Sequence, residues 1–373
     1  MTASGMRKRA KCGALLIGMG VAGAALGAGQ DTPLATSAPV SNSPLVYGAW
    51  HCGNDACIWG TVRDLADFDQ KNHWLIDRGD GKPSVNLVVL SFVHPLKLLN
   101  SANDATTANG IPKGFTTGLV NYFTKHDIRV MLSIGGITYV DAWNQALAQS
   151  ASALGARAAA VAGALGVGIE IDYEENTNPN LAGLQAFIDA YRNVHPYDQT
   201  GANPAARLTI DTGAGDRWLI ALNRKATADW LSPASRVLDY ANAMVPARQP
   251  NGAADAQANW QEHVDGKPQY APPVPPLAPA RFTGGLYIAE GSKVRPECND
   301  FSRSLQRSTG TFVQTVAPKV GTTPGMLGYM FWAAEKPSSR GVTTTRPNTC
   351  ERGVGAGSTA YAIPIPMPPL RQD

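Results

Sequence analysis

Short apolar runs recur along the chain and are its strongest structural signal. Eight of them are rich in β-branched or other apolar residues on both faces, which is typical of strands that are covered on both sides. They occupy residues 45–50, 85–93, 129–136, 167–174, 207–212, 238–246, 282–289 and 326–333. The pattern therefore predicts eight buried strands.

Helical patterns separate several of these runs. Residues 141–165 are rich in alanine, residues 181–194 place apolar side chains at helical spacing, and residues 301–320 do so more weakly. Alternation of strands with helices indicates a parallel sheet. Eight strands favour an α/β fold of the (β/α)8 TIM barrel type. An open doubly wound sheet is the alternative, although no glycine-rich dinucleotide fingerprint follows the first strand.

The amino-terminal segment has the pattern of an export signal. Four basic residues precede an apolar, small-residue run that ends in Ala-Leu-Gly-Ala-Gly; they are Arg7, Lys8, Arg9 and Lys11. A membrane anchor needs about 20 strongly apolar residues, and this run is shorter and diluted by glycine and alanine. We expect residues 1–29 to be a cleaved signal peptide, although a buried helix is the alternative. The protein would then be secreted or periplasmic, with no membrane attachment after cleavage.

Residues 30–44 are rich in proline and serine and predict a disordered or extended linker. The mature chain would retain an even number of cysteines, which in an oxidising compartment predicts disulfide bonds among Cys52, Cys57, Cys298 and Cys350. Of the three possible pairings, Cys52–Cys57 with Cys298–Cys350 is the simplest. A zinc site would require more closely spaced pairs, so we expect no metal.

Composition and charge narrow the functional classes. Hydrophobic residues make up 44% of the chain and charged residues 16%, which excludes a disordered protein. The net charge of +3 is spread without a basic block. Because nucleic-acid binding normally relies on a concentrated basic patch, we do not expect a nucleic-acid partner.

The most informative segment alternates acids with apolar residues: Glu170, Asp172 and Glu174. On a strand, residues i, i+2 and i+4 share one face, about 6–7 Å apart in succession. In a barrel that face points inward, and the outermost acid lies at the C-terminal mouth, where catalytic residues of such barrels sit. Packing like charges together raises the pKa of at least one of them, so Glu174 is a candidate proton donor.

Two other interpretations of this strand remain open. The acids could form the solvated face of an edge strand, but Ile169, Ile171 and Tyr173 require burial of the opposite face. They could bind a metal, but no histidine lies nearby in the sequence. We expect no cofactor.

At these residues the chain resembles glycoside hydrolase family 18, the chitinase and endo-β-N-acetylglucosaminidase family. The family's DxxDxDxE motif corresponds to Val167, Glu170, Asp172 and Glu174, and its SxGG motif to residues 133–136. The last strand, residues 328–332, resembles the family's aromatic strand ending in tryptophan. Tyr47 and Phe92, in the first two strands, resemble the family pattern more weakly. The resemblance spans roughly residues 45–336.

The resemblance implies hydrolysis of β-1,4 bonds next to N-acetylglucosamine by substrate-assisted retaining catalysis. Glu174 would protonate the glycosidic oxygen, and Asp172 would hold the substrate's acetamido group. The partner would be an N-acetylglucosamine-containing polysaccharide or oligosaccharide, such as chitin. Six further residues become candidates for substrate binding: Glu170, Trp332, Tyr173, Met244, Phe92 and Tyr47. Trp332 would form the apolar floor beneath the sugar.

The chain departs from the family pattern at three positions. Val167 and Glu170 replace aspartates, and Pro246 stands where the family commonly has a tyrosine, although Met244 matches. Glu170 and the missing tyrosine motivate an alternative function, a non-catalytic glycan-binding barrel of the same family. A protein-interaction or inhibitor barrel is a third possibility that no residue specifically supports.

The resemblance also sets the expected domain organisation. Only about 35 residues separate Glu290 from Met326, too few for the family's α+β insertion domain and a crossover helix. No clear helix follows Trp332, so the eighth unit is expected to be irregular. We predict a catalytic barrel over residues 45–340 and a Gly/Pro-rich tail over residues 341–373, packed on the barrel.

Overall fold

A computed structural model describes residues 46–52, 64–77, 81, 83, 85–214, 218–244, 253–287, 303–321 and 324–332. Eight parallel strands in it close a barrel, and a short antiparallel hairpin, β3–β4, lies between β2 and β5. The strands are β1 Val46–Cys52, β2 Leu87–Val93, β3 Thr107–Ala108, β4 Ile111–Pro112, β5 Arg129–Gly135, β6 Gly168–Asp172, β7 Leu208–Thr212, β8 Ala241–Ala243, β9 Phe282–Tyr287 and β10 Gly328–Trp332.

Each barrel strand pairs in parallel with the next one along the chain, and the last strand returns to the first. The closing pair is β1 with β10, in the register Val46 to Gly328. Closure confirms the predicted (β/α)8 barrel and excludes the open sheet, which would leave two edge strands. Each of the eight predicted runs overlaps one of these strands, and only β1 extends beyond its run, by two residues.

Helices lie between the strands. They are α1 Leu65–Asn72, α2 Pro95–Leu99, α3 Thr117–Thr124, α4 Val140–Leu165, α5 Leu181–Val194, α6 Ile220–Lys225, α7 Ala253–Asp265 and α8 Arg303–Thr315. The predictions for α4 and α5 are confirmed, whereas α8 is shorter than its predicted 301–320. Helix α4 ends where Gly166 adopts a left-handed conformation, with φ of 67°. The described part of the connection from β9 to β10 consists of α8 and the turn after it.

Strand β8 is much shorter than its predicted range of 238–246. The residues before it are engaged elsewhere: the Asp239 carboxylate accepts a hydrogen bond from the Leu208 backbone N–H (2.6 Å) and pairs with Arg207 (3.1 Å) and Arg192 (3.3 Å). The Leu238 N–H donates to the carbonyl of Trp230 (3.0 Å). The Asp239 N–H still donates to the Leu208 carbonyl (2.9 Å), so side-chain contacts and backbone pairing with β7 occur together at this end.

The barrel wall separates two apolar cores. Its outer face packs against the helices and includes Ile169, Ile171 and Tyr173. A smaller cluster fills the lumen, and it consists of Val46, Trp50, Leu87, Val89, Met131, Tyr240, Leu327 and Met330. Because side chains alternate along a strand, this division directs Glu170 and Asp172 into the lumen.

Several predictions fall on residues outside the described ranges. Cys52 ends β1, but Cys57, Cys298 and Cys350 lie outside, as do residues 1–45, residues 333–373 and Pro246. The signal peptide, linker, tail and disulfides therefore stay predictions. Within the described ranges, no helix has the length and apolarity needed to cross a bilayer.

Candidate active site

The three acids of the β6 segment meet at the C-terminal mouth of the barrel. Glu170 and Asp172 lie within β6 and are buried, at 0% and 4% exposure. Glu174 follows the strand by two residues and is half-buried, so it alone of the three reaches the surface. The strand thus presents an acid to the mouth above two acids in the barrel interior.

Glu174 is placed to exchange a proton near neutral pH. Burial raises its pKa to about 7, although a hydrogen bond from the Ile137 backbone N–H and a hydrogen bond shared with Asp172 oppose the shift. A carboxyl group with that pKa is partly protonated at neutral pH, as a general acid requires. Its partial exposure lets a substrate oxygen approach.

Asp172 lies directly beneath this acid. Its pKa is raised well above the usual value, first by burial and then by the charges of Glu174 and Glu170. Its Oδ1 atom is buried and accepts no hydrogen bond from the residues that the structure describes. Because an unpaired buried oxygen is costly, this atom is suited to receive an N–H group from a bound molecule.

Glu170 braces the interior of the barrel rather than facing a substrate. One carboxylate oxygen accepts from Trp50 Nε1 (2.9 Å) and the other from Asn242 Nδ2 (2.6 Å). The Thr283 hydroxyl in turn donates to Asn242 Oδ1. Burial raises the pKa of Glu170 to about 7, and these donors oppose the shift. Its predicted substrate contact is therefore corrected to a positioning role, since the side chain is fully enclosed.

A fourth acid, Asp211, was missed by the sequence analysis. It lies on β7, is 2% exposed, and stands one step beyond the paired residues Ile171 and Ile210, level with Asp172. Burial and the charges of Glu170 and Asp172 raise its pKa well above the usual value. The available signal was the polar alternation within the Leu208–Thr212 run, which places its aspartate on the inner face.

The SxGG segment supports the carboxylates through backbone packing. Gly135 has φ of 123°, and a Cβ there would lie 1.8 Å from the Asp172 carbonyl oxygen. That oxygen accepts hydrogen bonds from the Gly136 N–H (3.0 Å) and from Trp143 Nε1 (3.1 Å). The motif therefore fixes the end of β6 through positions that only glycine fits.

Aromatic side chains line the same mouth. Trp332 ends β10 and Phe92 lies in β2; both are half-buried, with ring centroids 5.6 Å apart. Met244 is half-buried just after β8, where its N–H donates to the Thr212 carbonyl (3.0 Å). Trp218, which the sequence analysis missed, is 39% exposed on the connection that follows β7.

The structure does not bring Tyr47 and Tyr173 to this site. Both are 0% exposed and belong to the core on the outer face of the barrel wall. Tyr47 packs edge-on against Tyr329 (5.2 Å), and the Tyr173 hydroxyl donates to Asn144. Their predicted substrate contacts are corrected to packing roles, because strand alternation turns them away from the lumen.

Fold and site together define a (β/α)8 barrel whose mouth holds a half-buried glutamate above buried carboxylates, flanked by aromatic rings. No family model and no curated protein sequence matches the chain. Several solved structures match the chain. A chitinase from Rhizomucor miehei is 13% identical, with 84% of this chain and 99% of that chain covered and a TM-score of 0.49.

A chitinase from Bacillus thuringiensis is 11% identical, with 89% and 71% covered and a TM-score of 0.47. A family 18 chitinase from Cycas revoluta in complex with (GlcNAc)3 is 12% identical, with 77% and 94% covered and a TM-score of 0.44. At such identities these likenesses extend to the fold alone.

Proposed function

We propose that this protein is a glycoside hydrolase that cleaves β-1,4 bonds next to N-acetylglucosamine, in chitin or a chitin-like glycan. The observation that carries the proposal is the pair at the mouth. Glu174 is half-buried with a pKa raised to about 7, and it stands above Asp172, whose buried Oδ1 lacks a partner among the described residues. The motif resemblance at these same residues supports the choice of substrate.

In the first step, Glu174 donates its proton to the glycosidic oxygen as the bond to the anomeric carbon breaks. The substrate's own 2-acetamido oxygen attacks that carbon and forms an oxazolinium ion, so no protein nucleophile is needed. Asp172 Oδ1 accepts the acetamido N–H and stabilises the developing positive charge. Water then attacks the anomeric carbon and displaces the acetamido oxygen, Glu174 takes the proton that the water loses, and the configuration is retained.

The aromatic pair supplies the apolar surface that a sugar ring requires. Trp332 and Phe92 are half-buried at the mouth, so part of the surface of each residue is exposed to a ligand. Aromatic residues offer large, rigid contact areas in binding sites. We place the sugar that is cleaved over Trp332, as the family resemblance implies.

The decisive experiment compares Glu174→Gln with Glu175→Gln on fluorogenic N-acetyl-chitooligosaccharides and colloidal chitin. Glu175 is the matched control: it is the adjacent acid, but hydrogen bonds from the Thr177 and Asn178 backbone N–H groups lower its pKa. E174Q is expected to lower kcat by about 10²–10⁴-fold, because the proton donor is lost. E175Q is expected to retain kcat within about threefold.

Asp172→Asn tests the second role in the same assay. Its amide cannot stabilise the oxazolinium charge, so kcat is expected to fall by about 10²–10³-fold. Full activity of E174Q would refute the proposal. Equal losses in E174Q and E175Q would show that the segment is merely structural.

One observation favours a second function, non-catalytic glycan binding. Glu170 is committed to Trp50 and Asn242, and so does not act as a free partner for Asp172. A wild-type protein that binds chitooligosaccharides in calorimetry without turning them over would support this alternative.

We also propose, from the sequence pattern of residues 1–29, that the protein is exported. Recovery outside the cytoplasm of a chain that begins near residue 30 would support export, whereas a full-length cytoplasmic chain would refute it.

A further inference from the structure

Asp211 occupies a position in the site that the proposed mechanism does not use. It lies deep in the barrel, 2% exposed and level with Asp172. From β6 it faces Glu170 and Asp172, and from β8 it faces Asn242, its register partner. Helix α7 contributes His263, which contacts the Gly213 carbonyl oxygen (2.6 Å) beyond the end of β7.

The hydrogen bonds around Glu170 determine which acid carries a proton. Glu170 accepts an N–H group on each oxygen, from Trp50 and from Asn242, and therefore acts as an acceptor. Asp211 lies beside Glu170, near enough for the two carboxyl groups to share a proton, and its buried Oδ1 has no hydrogen-bond partner among the described residues. Two carboxyl groups can hydrogen-bond each other only if one of them is protonated. The charges that act most strongly on Asp211 come from Glu170 and Asp172, both negative.

We infer that Asp211 is a positioning residue that stays protonated in the folded protein and donates its hydrogen bond to Glu170. The Glu170–Asp211 pair then holds one negative charge instead of two. This inference rests on the proposed function and deepens it, because a protonated Asp211 leaves one fewer negative charge beneath Asp172, the acid proposed to hold the substrate. It also gives Glu170 a further donor beside Trp50 and Asn242, which helps to hold the Glu170 side chain in place beneath Asp172.

The first test does not depend on activity. The free energy of unfolding of the wild type and of Asp211→Asn is measured between about pH 5 and pH 9, with Asp189→Asn as the control. Asp189 is exposed on α5. Unfolded Asp211 ionises near pH 4, whereas in the folded wild type it keeps its proton. The folding equilibrium constant of the wild type, relative to D211N, should therefore fall by up to tenfold for each pH unit.

The ratio of the wild-type folding equilibrium constant to that of D211N should level off only at the pH where folded Asp211 loses its proton. The same ratio taken with D189N should not change with pH. A flat ratio for D211N across the whole interval would mean that Asp211 is ionised, and would overturn the inference. Because unfolding is measured without substrate, this result stands whether or not the protein turns over chitooligosaccharides.

The second test uses turnover and separates a proton-bearing role from a packing role. Asp211→Asn supplies an amide N–H in place of the acid proton, so kcat is expected to stay within about threefold and the basic limb of the pH profile to stay in place. Asp211→Ala removes the donor and is expected to lower kcat by about 10–100-fold. A basic limb that moves to lower pH in D211N would show that a negative charge was removed, and would contradict the inference.

Discussion

Two adjacent glutamates show how strongly position decides chemistry at the scale of one residue. Glu174 is largely buried and its pKa rises to about 7, whereas Glu175 accepts hydrogen bonds from backbone N–H groups and its pKa falls. Both residues are glutamates, so residue type alone does not distinguish them. Strand alternation assigned Glu174 to the inner face and could have assigned Asp211 there too, but neither the backbone donors to Glu175 nor the register that brings Asp211 level with Asp172 could be predicted from spacing.

Trp218 allows a second prediction about a single residue. Its neighbour Leu219 donates its N–H to Asn176 Oδ1 (2.6 Å), two residues beyond Glu174, so this bond ties the backbone next to the 39% exposed Trp218 to the segment that follows the acid. The free face of Trp218 offers apolar contact to a further sugar of the substrate chain. Trp218→Ala is expected to raise KM for long chitooligosaccharides by about tenfold, equivalent to about 1.4 kcal/mol, with kcat nearly unchanged.

Trp218→Phe keeps an aromatic face and is the matched control, with KM expected to stay within about threefold of the wild type. Steady-state kinetics on oligosaccharides of increasing length measure the effect. If KM rose equally for the shortest and the longest substrates, Trp218 would not be an extended binding surface.

At the scale of elements, the turn after β5 depends on one glycine. Gly135→Ala would place a methyl group 1.8 Å from the Asp172 carbonyl oxygen and 2.3 Å from Trp143 Nε1, at φ of 123°. We expect a loss of more than about 3 kcal/mol in the free energy of unfolding, measured by denaturant titration. Activity should fall as well, because the end of β6 must shift.

Gly166→Ala is the matched control. This glycine also has positive φ, 67°, but a Cβ there meets nothing within 4 Å. Only the left-handed conformation then costs free energy, about 1 kcal/mol. Equal destabilisation by the two substitutions would mean that the contact with β6 is unimportant.

The sequence was sufficient to predict the positions of most strands and helices, but not all of their lengths. Apolar runs located all eight barrel strands, and apolar spacing placed α5 at residues 181–194 because that helix buries a regular stripe against the barrel. The length of β8 could not be predicted, because it depends on ion pairs of the Asp239 carboxylate with Arg192 and Arg207, which are remote in sequence. Tyr47 and Tyr173 were assigned to the site by motif position alone, although alternation places Tyr173 on the outer face.

At the scale of the whole molecule, buried ionisable groups act on stability in opposite directions. The folded protein raises the pKa of Glu170 and Glu174 to about 7, so it binds protons there that the unfolded chain releases. It lowers the pKa of His51 to about 4 and of His263 to about 3 by burial. As pH rises the acids therefore weaken the fold, and as pH falls below about 6.5 the histidines do so.

A comparison of Glu174→Gln with the wild type isolates one of these contributions, because the histidines cancel. The pKa of a glutamate carboxyl is ordinarily 4.5 and that of Glu174 is about 7 in the folded chain, so the wild type loses stability relative to E174Q as pH rises between these values. We expect E174Q to match the wild type near about pH 4.5 and to exceed it by up to about 3 kcal/mol above about pH 7. Denaturant unfolding over this interval measures the difference, and E175Q should show no such gain, because the pKa of Glu175 is lowered. A pH-independent difference for E174Q would mean that Glu174 titrates as it does in the unfolded chain, and that the site lacks the acid on which catalysis depends.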